Sequence, residues 1–189
     1  MSPLKFDIDY LADRYDRSAF SCGDDYLDNY IKSRADEDIK RRAGSVLVAI
    51  PVGSNVVAGY YTLTPTAIMR GSLSGADQRK LPRYDSCNAA LLGRLAVDMQ
   101  FRDQKLGTIL MLDALDRLKR QRDLPPALVY VDAYPAAERF YEKFSFQRTL
   151  DPVNEEDSSK AVPMYLPMRR ADTAINAAIE LLAESSPSP

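Results

Sequence analysis

The residues best placed to do chemistry lie in a polar turn within the stretch from Leu91 to Leu118. An apolar strand precedes this turn, and an amphipathic helix follows it. A helix that starts directly after a strand aims its first unpaired N–H groups and the positive end of its dipole at one point, which suits a phosphate or pyrophosphate. Because most strand–turn–helix units bind no ligand, this geometry alone predicts only a candidate anion site.

The lack of histidine restricts every other catalytic hypothesis, since the 189 residues include none. Ser-His-Asp and Cys-His nucleophiles, HExxH metalloproteases and histidine-bearing zinc sites are thereby excluded. The two cysteines, Cys22 and Cys87, are too few for a structural zinc site or a disulfide framework, so we expect reduced thiols. We therefore expect no metal, and catalysis has to use Tyr, Ser, Cys, Lys, Arg or carboxylate groups.

Composition and charge predict one globular α/β domain in the cytoplasm. Hydrophobic residues make up 46% of the chain, charged residues 28%, and the net charge is −2. No apolar run is long enough to span a bilayer, and the N-terminus is too polar for a signal peptide. Dedicated nucleic-acid-binding proteins are usually basic, so a nucleic acid would have to bind a local patch. Two runs could supply its phosphate contacts, although such runs are most often plain surface charge: Lys40, Arg41 and Arg42, and Arg79, Lys80 and Arg83.

Hydrophobic periodicity predicts the order β, α(α), β, β, β, α, β, α, β, β and a terminal helix. The predicted strands cover residues 3–10, 45–52, 56–68, 88–97, 127–133, 145–150 and 161–168. We expect a mixed, mostly antiparallel sheet with one parallel strand–helix–strand pair in the middle, flanked by helices. Pro65 predicts that the far end of its strand is an edge or a bulge, and the two prolines of the last strand predict an edge strand. A domain over residues 1–170, a helix over 171–184 and a disordered tail over 185–189 complete the expectation.

The first helix is predicted from a candidate N-cap residue and from apolar residues at helical spacing. Ser21 or Asp24 can serve as its N-cap. Its apolar stripe at helical spacing has four members, Tyr26, Leu27, Tyr30 and Ile31. The charged segment 33–42 either continues this helix or forms a second one. The loop 69–87 is long for a compact domain, and such loops are usually functional or mobile.

The element order and the polar turn resemble the GNAT superfamily of acetyl-CoA-dependent N-acetyltransferases. Members carry R/Q-x-x-G-x-G/A at this turn, which Arg102 and Gly107 match, whereas Lys105 stands at the first glycine. The resemblance implies that backbone amides here hold the CoA pyrophosphate. Glycine tolerates positive φ and lets the backbone approach a phosphate, so Lys105 puts cofactor affinity in question, while its ammonium adds a charge beside the pyrophosphate.

A second stretch, residues 136–146, is similar to the family motif A-x-x-F/L-Y-x-x-x-G-F. The resemblance assigns the motif's tyrosine, which gives the leaving thiolate its proton, to Tyr141. Ser145 replaces the glycine after the helix, and forcing it into a left-handed conformation costs on the order of 1 kcal/mol. The implied acetyl-CoA site comprises Leu95, Ala96, Val97, Arg102, Lys105, Leu106, Gly107, Thr108 and Phe140.

A third set of stretches resembles GNAT toxins of type II toxin–antitoxin pairs. These are Phe20-Ser21-Cys22-Gly23, Leu27-Asp28-Asn29-Tyr30-Ile31, and the segments 57–63 and 92–98. In that subgroup the acceptor is the α-amine of an aminoacyl-tRNA, and the partner is a ribbon-helix-helix antitoxin. Arg94 either pairs with an acid or faces the acceptor. The resemblance also implies direct transfer, which needs no histidine because the α-amine has a pKa near 8.

Two other functions stay open: a GNAT enzyme for a small-molecule or protein amine, and a GNAT-fold binding module without catalysis. The net charge of −2 and Lys105 favour the first of these over the toxin. The apolar face expected on the terminal helix, with Ile175, Ala178, Ile179 and Leu182, could seal the core, pair with a second copy in a homodimer, or receive the antitoxin.

Overall fold

The structure is a computed structural model that describes residues 5–151 and 161–183. Within these ranges the strands are β1 Phe6–Tyr10, β2 Ser45–Pro51, β3 Gly59–Met69, β4 Ser86–Val97, β5 Leu128–Ala133, β6 Gln147–Arg148 and β7 Val162–Pro167. The helices are α1 Asp25–Asn29, α2 Ala35–Lys40, α3 Gly75–Gln78, α4 Leu106–Arg120, α5 Glu138–Glu142 and α6 Ala171–Ala183. A π-helical turn, Tyr30–Arg34, joins α1 to α2. The predicted order is confirmed, with α3 as an addition inside the long loop.

The strands form one seven-stranded sheet in the order β1-β2-β3-β4-β5-β7-β6. β4 and β5 are parallel, and their register runs from Ala89↔Leu128 to Leu91↔Tyr130. The pairs β1–β2, β2–β3, β5–β7 and β6–β7 are antiparallel. The expected mixed, mostly antiparallel sheet with one parallel pair is therefore confirmed.

The edge position predicted for β7 from its two prolines is wrong, because β7 lies between β5 and β6. The prediction for Pro65 concerned only the far end of β3, and there the strand extends beyond its ladder with β2. The pairing of β2 with β3 ends at Ser45↔Leu63, so Pro65 needs no ladder hydrogen bond to β2. On β7, the two-residue strand β6 pairs with Met164 and Tyr165 only. In both strands, proline therefore lies at positions that one neighbouring strand does not reach. The missing N–H group of proline leaves no hydrogen bond of that ladder unmade.

The chain divides into two compact units, Met1–Thr64 with Gly93–Ala114, and Pro65–Leu92 with Leu115–Pro189. β3, β4 and α4 each contribute residues to both units. The core of the first includes Phe20, Tyr30, Ile31, Val48, Tyr60 and Ala96. The core of the second includes Ile68, Leu73, Cys87, Ala89, Leu128 and Tyr165.

The predicted face of α4 is confirmed, since all six of its apolar residues are buried: Leu106, Leu110, Met111, Ala114, Leu115 and Leu118. The faces of the other two helices need correction. On α1 the side chain of Tyr26 is 58% exposed, so it does not belong to the buried stripe with Tyr30 and Ile31. On α6 the buried residues are Ala171, Ala174 and Ala178, whereas Ile179 is 50% exposed. The alanines lie at i, i+3 and i+7, and their small side chains allow close packing of this face. The expected tail, 185–189, lies outside the described residues.

Candidate functional site

The turn before α4 has an unusual backbone. Asp103 and Lys105 adopt left-handed conformations, with φ of 65° and 55°. A residue with a Cβ atom pays about 1–2 kcal/mol for this conformation. The family resemblance predicted a position suited to glycine at residue 105, and the backbone meets that requirement although the residue is lysine.

This turn offers N–H groups to a ligand. Thr108 and Ile109 donate their N–H groups to the Lys105 carbonyl oxygen at 2.9 and 3.1 Å. Leu106 and Gly107 are the first two residues of α4, so their N–H groups have no carbonyl oxygen of this helix four residues earlier to bond to. No acidic side chain lies in the first turn of α4 to neutralise the positive end of its dipole. The turn therefore fits an anion such as a pyrophosphate.

The segment before α1 anchors the turn. The Asp98 carboxylate accepts hydrogen bonds from the N–H groups of Ser21 and Gln100, both at 2.8 Å. The exposed Arg102 guanidinium donates to the Cys22 carbonyl oxygen at 2.6 Å, which leaves other guanidinium N–H groups for a ligand. These bonds hold the two loops together and pre-organise the turn.

The end of β4 leads directly into this turn. Ala96 is buried and Leu95 and Val97 are half-buried. On β3, a Cβ atom at Gly59 would lie 3.0 Å from the Ala96 carbonyl oxygen, so glycine permits the close approach of these strands. The ladder with β5 ends at Leu91, six residues before β4 ends.

Tyr141 lies on α5 in the second unit and is only 8% exposed. Its ring makes edge contacts with Phe140 and Phe146, at centroid distances of 5.3 and 5.5 Å. Burial raises the pKa of Tyr141 to about 12, so the phenol is protonated at neutral pH and retains a proton to give. Ser145, just after α5, has a φ of 63°. The left-handed serine predicted from the sequence is thus present.

Arg94 contacts aromatic side chains of the first unit. No carboxylate pairs with its guanidinium among the described residues. Its guanidinium carbon lies 3.6 Å from the ring centroid of Tyr30 and 5.5 Å from that of Tyr26. It also donates to the Tyr26 hydroxyl at 2.9 Å. Arg94 is therefore held by aromatic rings and not by an acid.

The predicted phosphate-binding run ends α2. Lys40, Arg41 and Arg42 are all exposed. Arg41 forms an ion pair with Glu37 at 2.6 Å, and Arg42 ends the helix in a left-handed conformation with φ of 57°. The run belongs to the first unit, as does the turn, whereas Arg79, Lys80 and Arg83 belong to the second.

Sequence reasoning missed an ion-pair cluster around one buried carboxylate in the second unit. Asp77 on α3 is 1% exposed, and its carboxylate accepts hydrogen bonds from Arg169, Arg170 and Tyr165, the last at 2.9 Å. These contacts lower the pKa of Asp77 against the opposing effect of burial, so its charge is stabilised by partners distant in the chain. No local pattern could have indicated this cluster, because its members are 88 to 93 residues apart.

The remaining sequence expectations concern thiols, metals and membranes. Cys22 and Cys87 are both free, and burial raises the pKa of the Cys22 thiol to about 11, so it is a poor nucleophile at neutral pH. The described ranges contain no group of three or more acidic or cysteine side chains placed to hold a metal ion. In those ranges no helix is both long and apolar enough to cross a membrane.

Comparison with known proteins identifies relatives. The model of the acetyltransferase (GNAT) domain family matches residues 83–168. A tRNA-acetylating toxin of Mycobacterium tuberculosis (strain ATCC 25618 / H37Rv) is 30% identical over 140 residues, which cover 72% of this chain and 81% of that protein. The probable toxin TacT of Sinorhizobium fredii (strain NBRC 101917 / NGR234) is 30% identical over 105 residues, covering 56% of this chain and 58% of TacT.

Solved structures share the fold. AtaT complexed with acetyl-methionyl-tRNAfMet superposes with a TM-score of 0.74 at 24% identity, covering 95% of this chain and 99% of AtaT. AtaTR bound with acetyl-CoA gives 0.72 at 23% identity, with coverages of 89% and 96%. An AtaT variant with a tyrosine-to-phenylalanine substitution, bound to the C-terminus of the antitoxin AtaR, gives 0.68 at 20% identity, also with coverages of 89% and 96%.

Proposed function

Because this chain belongs to the GNAT family of acetyltransferases, together with the tRNA-acetylating toxin that it matches, we propose that it transfers an acetyl group from acetyl-CoA to the α-amine of an aminoacyl-tRNA. Acetylation blocks this amine, so the protein acts as a toxin that stops translation. The observation that carries the proposal is the left-handed turn at Asp103 and Lys105, whose N–H groups suit the CoA pyrophosphate.

The donor site uses the end of β4 and the turn. The N–H groups of Gln104, Leu106 and Gly107 bind the pyrophosphate, and the side chains of Arg102 and Lys105 add positive charge beside it. The backbone from Leu95 to Val97 binds the pantetheine amide and polarises the thioester carbonyl, since the β4–β5 ladder ends before this segment. Thr108 and Phe140 complete the set assigned by the resemblance.

Acetyl-CoA supplies an activated thioester, so the chain's own residues need only align the reactants and manage protons. The neutral amine attacks the carbonyl carbon, a C–N bond forms, and the C–S bond breaks. Tyr141 donates its phenolic proton to the departing sulfur, and the amine releases a proton to solvent. Because burial raises its pKa, the phenol is protonated at neutral pH, and the proton is present when the C–S bond breaks.

The partners follow from the same proposal. AtaT has been solved with an aminoacyl-tRNA product and with part of an antitoxin, and the proposal extends these two partner classes to this chain. The exposed run Lys40, Arg41 and Arg42 contacts tRNA phosphates. The antitoxin is a ribbon-helix-helix protein. The exposed Ile179 on α6 belongs to the face that binds either this antitoxin or a second copy of the chain in a homodimer. Since the substrate is aminoacyl-tRNA, the protein works in the cytoplasm as one domain, residues 1–170, followed by the terminal helix 171–184.

The test is product analysis. The purified protein is incubated with acetyl-CoA and a mixture of charged tRNAs, and the released amino acids are examined for N-acetylation. The proposal expects N-acetylaminoacyl-tRNA that depends on acetyl-CoA, with growth arrest on expression. Absence of this product together with acetylation of small amines would instead support the small-molecule enzyme. Failure to bind acetyl-CoA at millimolar concentration would leave only the binding module.

A further inference from the structure

The exposed ring of Tyr26 is held in place by a cation. The side chain of Tyr26 on α1 is 58% exposed, which is high for a large aromatic residue. Its hydroxyl accepts a hydrogen bond from a guanidinium group. Arg94 reaches it from β4, donating to its hydroxyl at 2.9 Å. The partners are 68 residues apart in the chain, so the contact results from the tertiary fold.

Behind Arg94 lies a rigid aromatic stack. The guanidinium carbon is 3.6 Å from the ring centroid of Tyr30, which is 3% exposed. Tyr30 stacks in turn on Tyr60, with centroids 6.0 Å apart and an interplanar angle of 23°. The Tyr60 hydroxyl donates to the Leu27 carbonyl oxygen at 2.9 Å, which ties the stack to α1. Arg94 and Tyr26 therefore rest on a support with little freedom to move.

Two features of this support have an energetic cost. The Arg94 Nε atom is buried and has no hydrogen-bond partner in the described part of the chain, a deficit of about 1–3 kcal/mol for a buried donor. Tyr30 also begins the π-helical turn Tyr30–Arg34, a rare geometry that occurs frequently at functional sites. Both features indicate that binding, and not stability alone, accounts for this arrangement.

We propose that the Tyr26 ring, together with the Arg94 guanidinium, is a platform on which the unpaired 3′-terminal adenine of the aminoacyl-tRNA stacks. This inference rests on the proposed function. Unpaired RNA ends are recognised by stacking on aromatic rings and on arginine planes. The guanidinium adds a positive charge that suits the phosphate next to the base. Arg94 directly precedes Leu95, so a base stacked here lies beside the backbone proposed to hold the thioester.

A base is a better occupant than the amino-acid side chain. Aminoacyl side chains vary from small to large and from apolar to charged, whereas the terminal base is the same in every tRNA. A flat aromatic ring beside a cation matches a flat base beside an anion. Tyr26 thus recognises the part of the acceptor that does not vary.

The experiment compares chemically aminoacylated RNA minihelices that end in adenosine or in an abasic ribose. For the wild-type protein, loss of the base is expected to raise KM about 5- to 150-fold, the range that base–aromatic stacking gives. Tyr26→Ala should raise KM for the adenosine-ended RNA by a similar factor and leave KM for the abasic RNA unchanged. Tyr26→Phe keeps the ring and should stay within about threefold of wild type, since it loses one hydrogen bond.

Tyr10→Ala is the matched control, because Tyr10 is 56% exposed on β1 in the same unit and should leave both KM values unchanged. The KM for acetyl-CoA and the thermal midpoint should also be unchanged in Tyr26→Ala. Equal effects of Tyr26→Ala on both RNAs, or none on either, would overturn the platform. A changed ranking of amino acids without a change in base dependence would place the ring at the amino-acid side chain and also overturn it.

A binding measurement separates this inference from the proposed function. The same pair of RNAs is prepared with an amino acid joined by a hydrolysis-resistant amide bond, and Kd is measured without acetyl-CoA for wild type and Tyr26→Ala. Base-dependent binding that Tyr26→Ala abolishes, without acetylation of the ester-linked RNAs, retains the platform and rejects the transferase. Binding that is independent of the base rejects the platform even if acetylation is observed.

Discussion

Glycine at position 105 should give a more stable protein than alanine at the same position, because this residue holds a left-handed backbone with φ of 55°. Releasing a residue with a Cβ atom from this conformation returns about 1–2 kcal/mol. The greater freedom of glycine in the unfolded chain removes about 0.4–1 kcal/mol of that gain. The free energy of unfolding of Lys105→Gly should thus exceed that of Lys105→Ala by about 0.5–1 kcal/mol, or about 1–4 °C in Tm for a chain of this size.

Lys105→Ala is the matched control, since alanine retains the Cβ atom and therefore the same backbone strain. Both variants remove the ammonium group, and both should weaken acetyl-CoA binding by about 1.5- to 5-fold at low ionic strength, the effect of one exposed charge pair. This weakening should vanish near 1 M salt, where screening is strong.

Differential scanning calorimetry measures the Tm, and isothermal titration calorimetry measures acetyl-CoA affinity at two salt concentrations. Equal Tm values for Lys105→Gly and Lys105→Ala would refute the strain argument. Unchanged affinity in both variants at low salt would show that the ammonium does not contact the pyrophosphate. The two parts of the reasoning can therefore fail separately.

Further outcomes follow from Tyr141 and Gly44. Tyr141→Phe should lower kcat by about 10²- to 10⁴-fold, the usual contribution of a general acid, while calorimetry finds acetyl-CoA binding intact; near-normal turnover would remove Tyr141 from the mechanism. Burial raises the pKa of Tyr141 to about 12, whereas the pKa in the unfolded chain is near 10. The stabilisation from this difference is complete below about pH 10 and is lost as the pH rises to about 12. Over this range, urea denaturation should therefore show a smaller decrease in the free energy of unfolding for Tyr141→Phe than for wild type. Gly44→Ala should cost about 1–3 kcal/mol in urea denaturation because its Cβ atom would lie 2.6 Å from the Leu63 carbonyl oxygen, whereas Gly71→Ala, with open space around it, should be nearly neutral.

Local patterns in the sequence determined much of the fold. The spacing of the apolar residues of α4 predicted its buried face in full, because a helix repeats every 3.6 residues whatever its surroundings. The Gly53-Ser54-Asn55 turn between two β-rich runs predicted the β2–β3 hairpin, whose ladder begins at Ala49↔Gly59. The motif positions of Lys105 and Ser145 predicted left-handed backbones, and both residues have positive φ. In each case the information lies within a few neighbouring residues.

Only the tertiary structure decided which distant groups meet. Tyr26 matched the helical stripe but is exposed, and Arg94 pairs with aromatic rings and not with an acid. The carboxylate of Asp77 is buried among arginines about 90 residues away. The prolines of β7 predicted an edge strand, yet β7 is internal and pairs with the two-residue strand β6 on one side. Hydrophobic periodicity predicts which face of a single helix or strand is buried. Which distant residues pack against that face depends on the strand order and the loop connections of the whole chain.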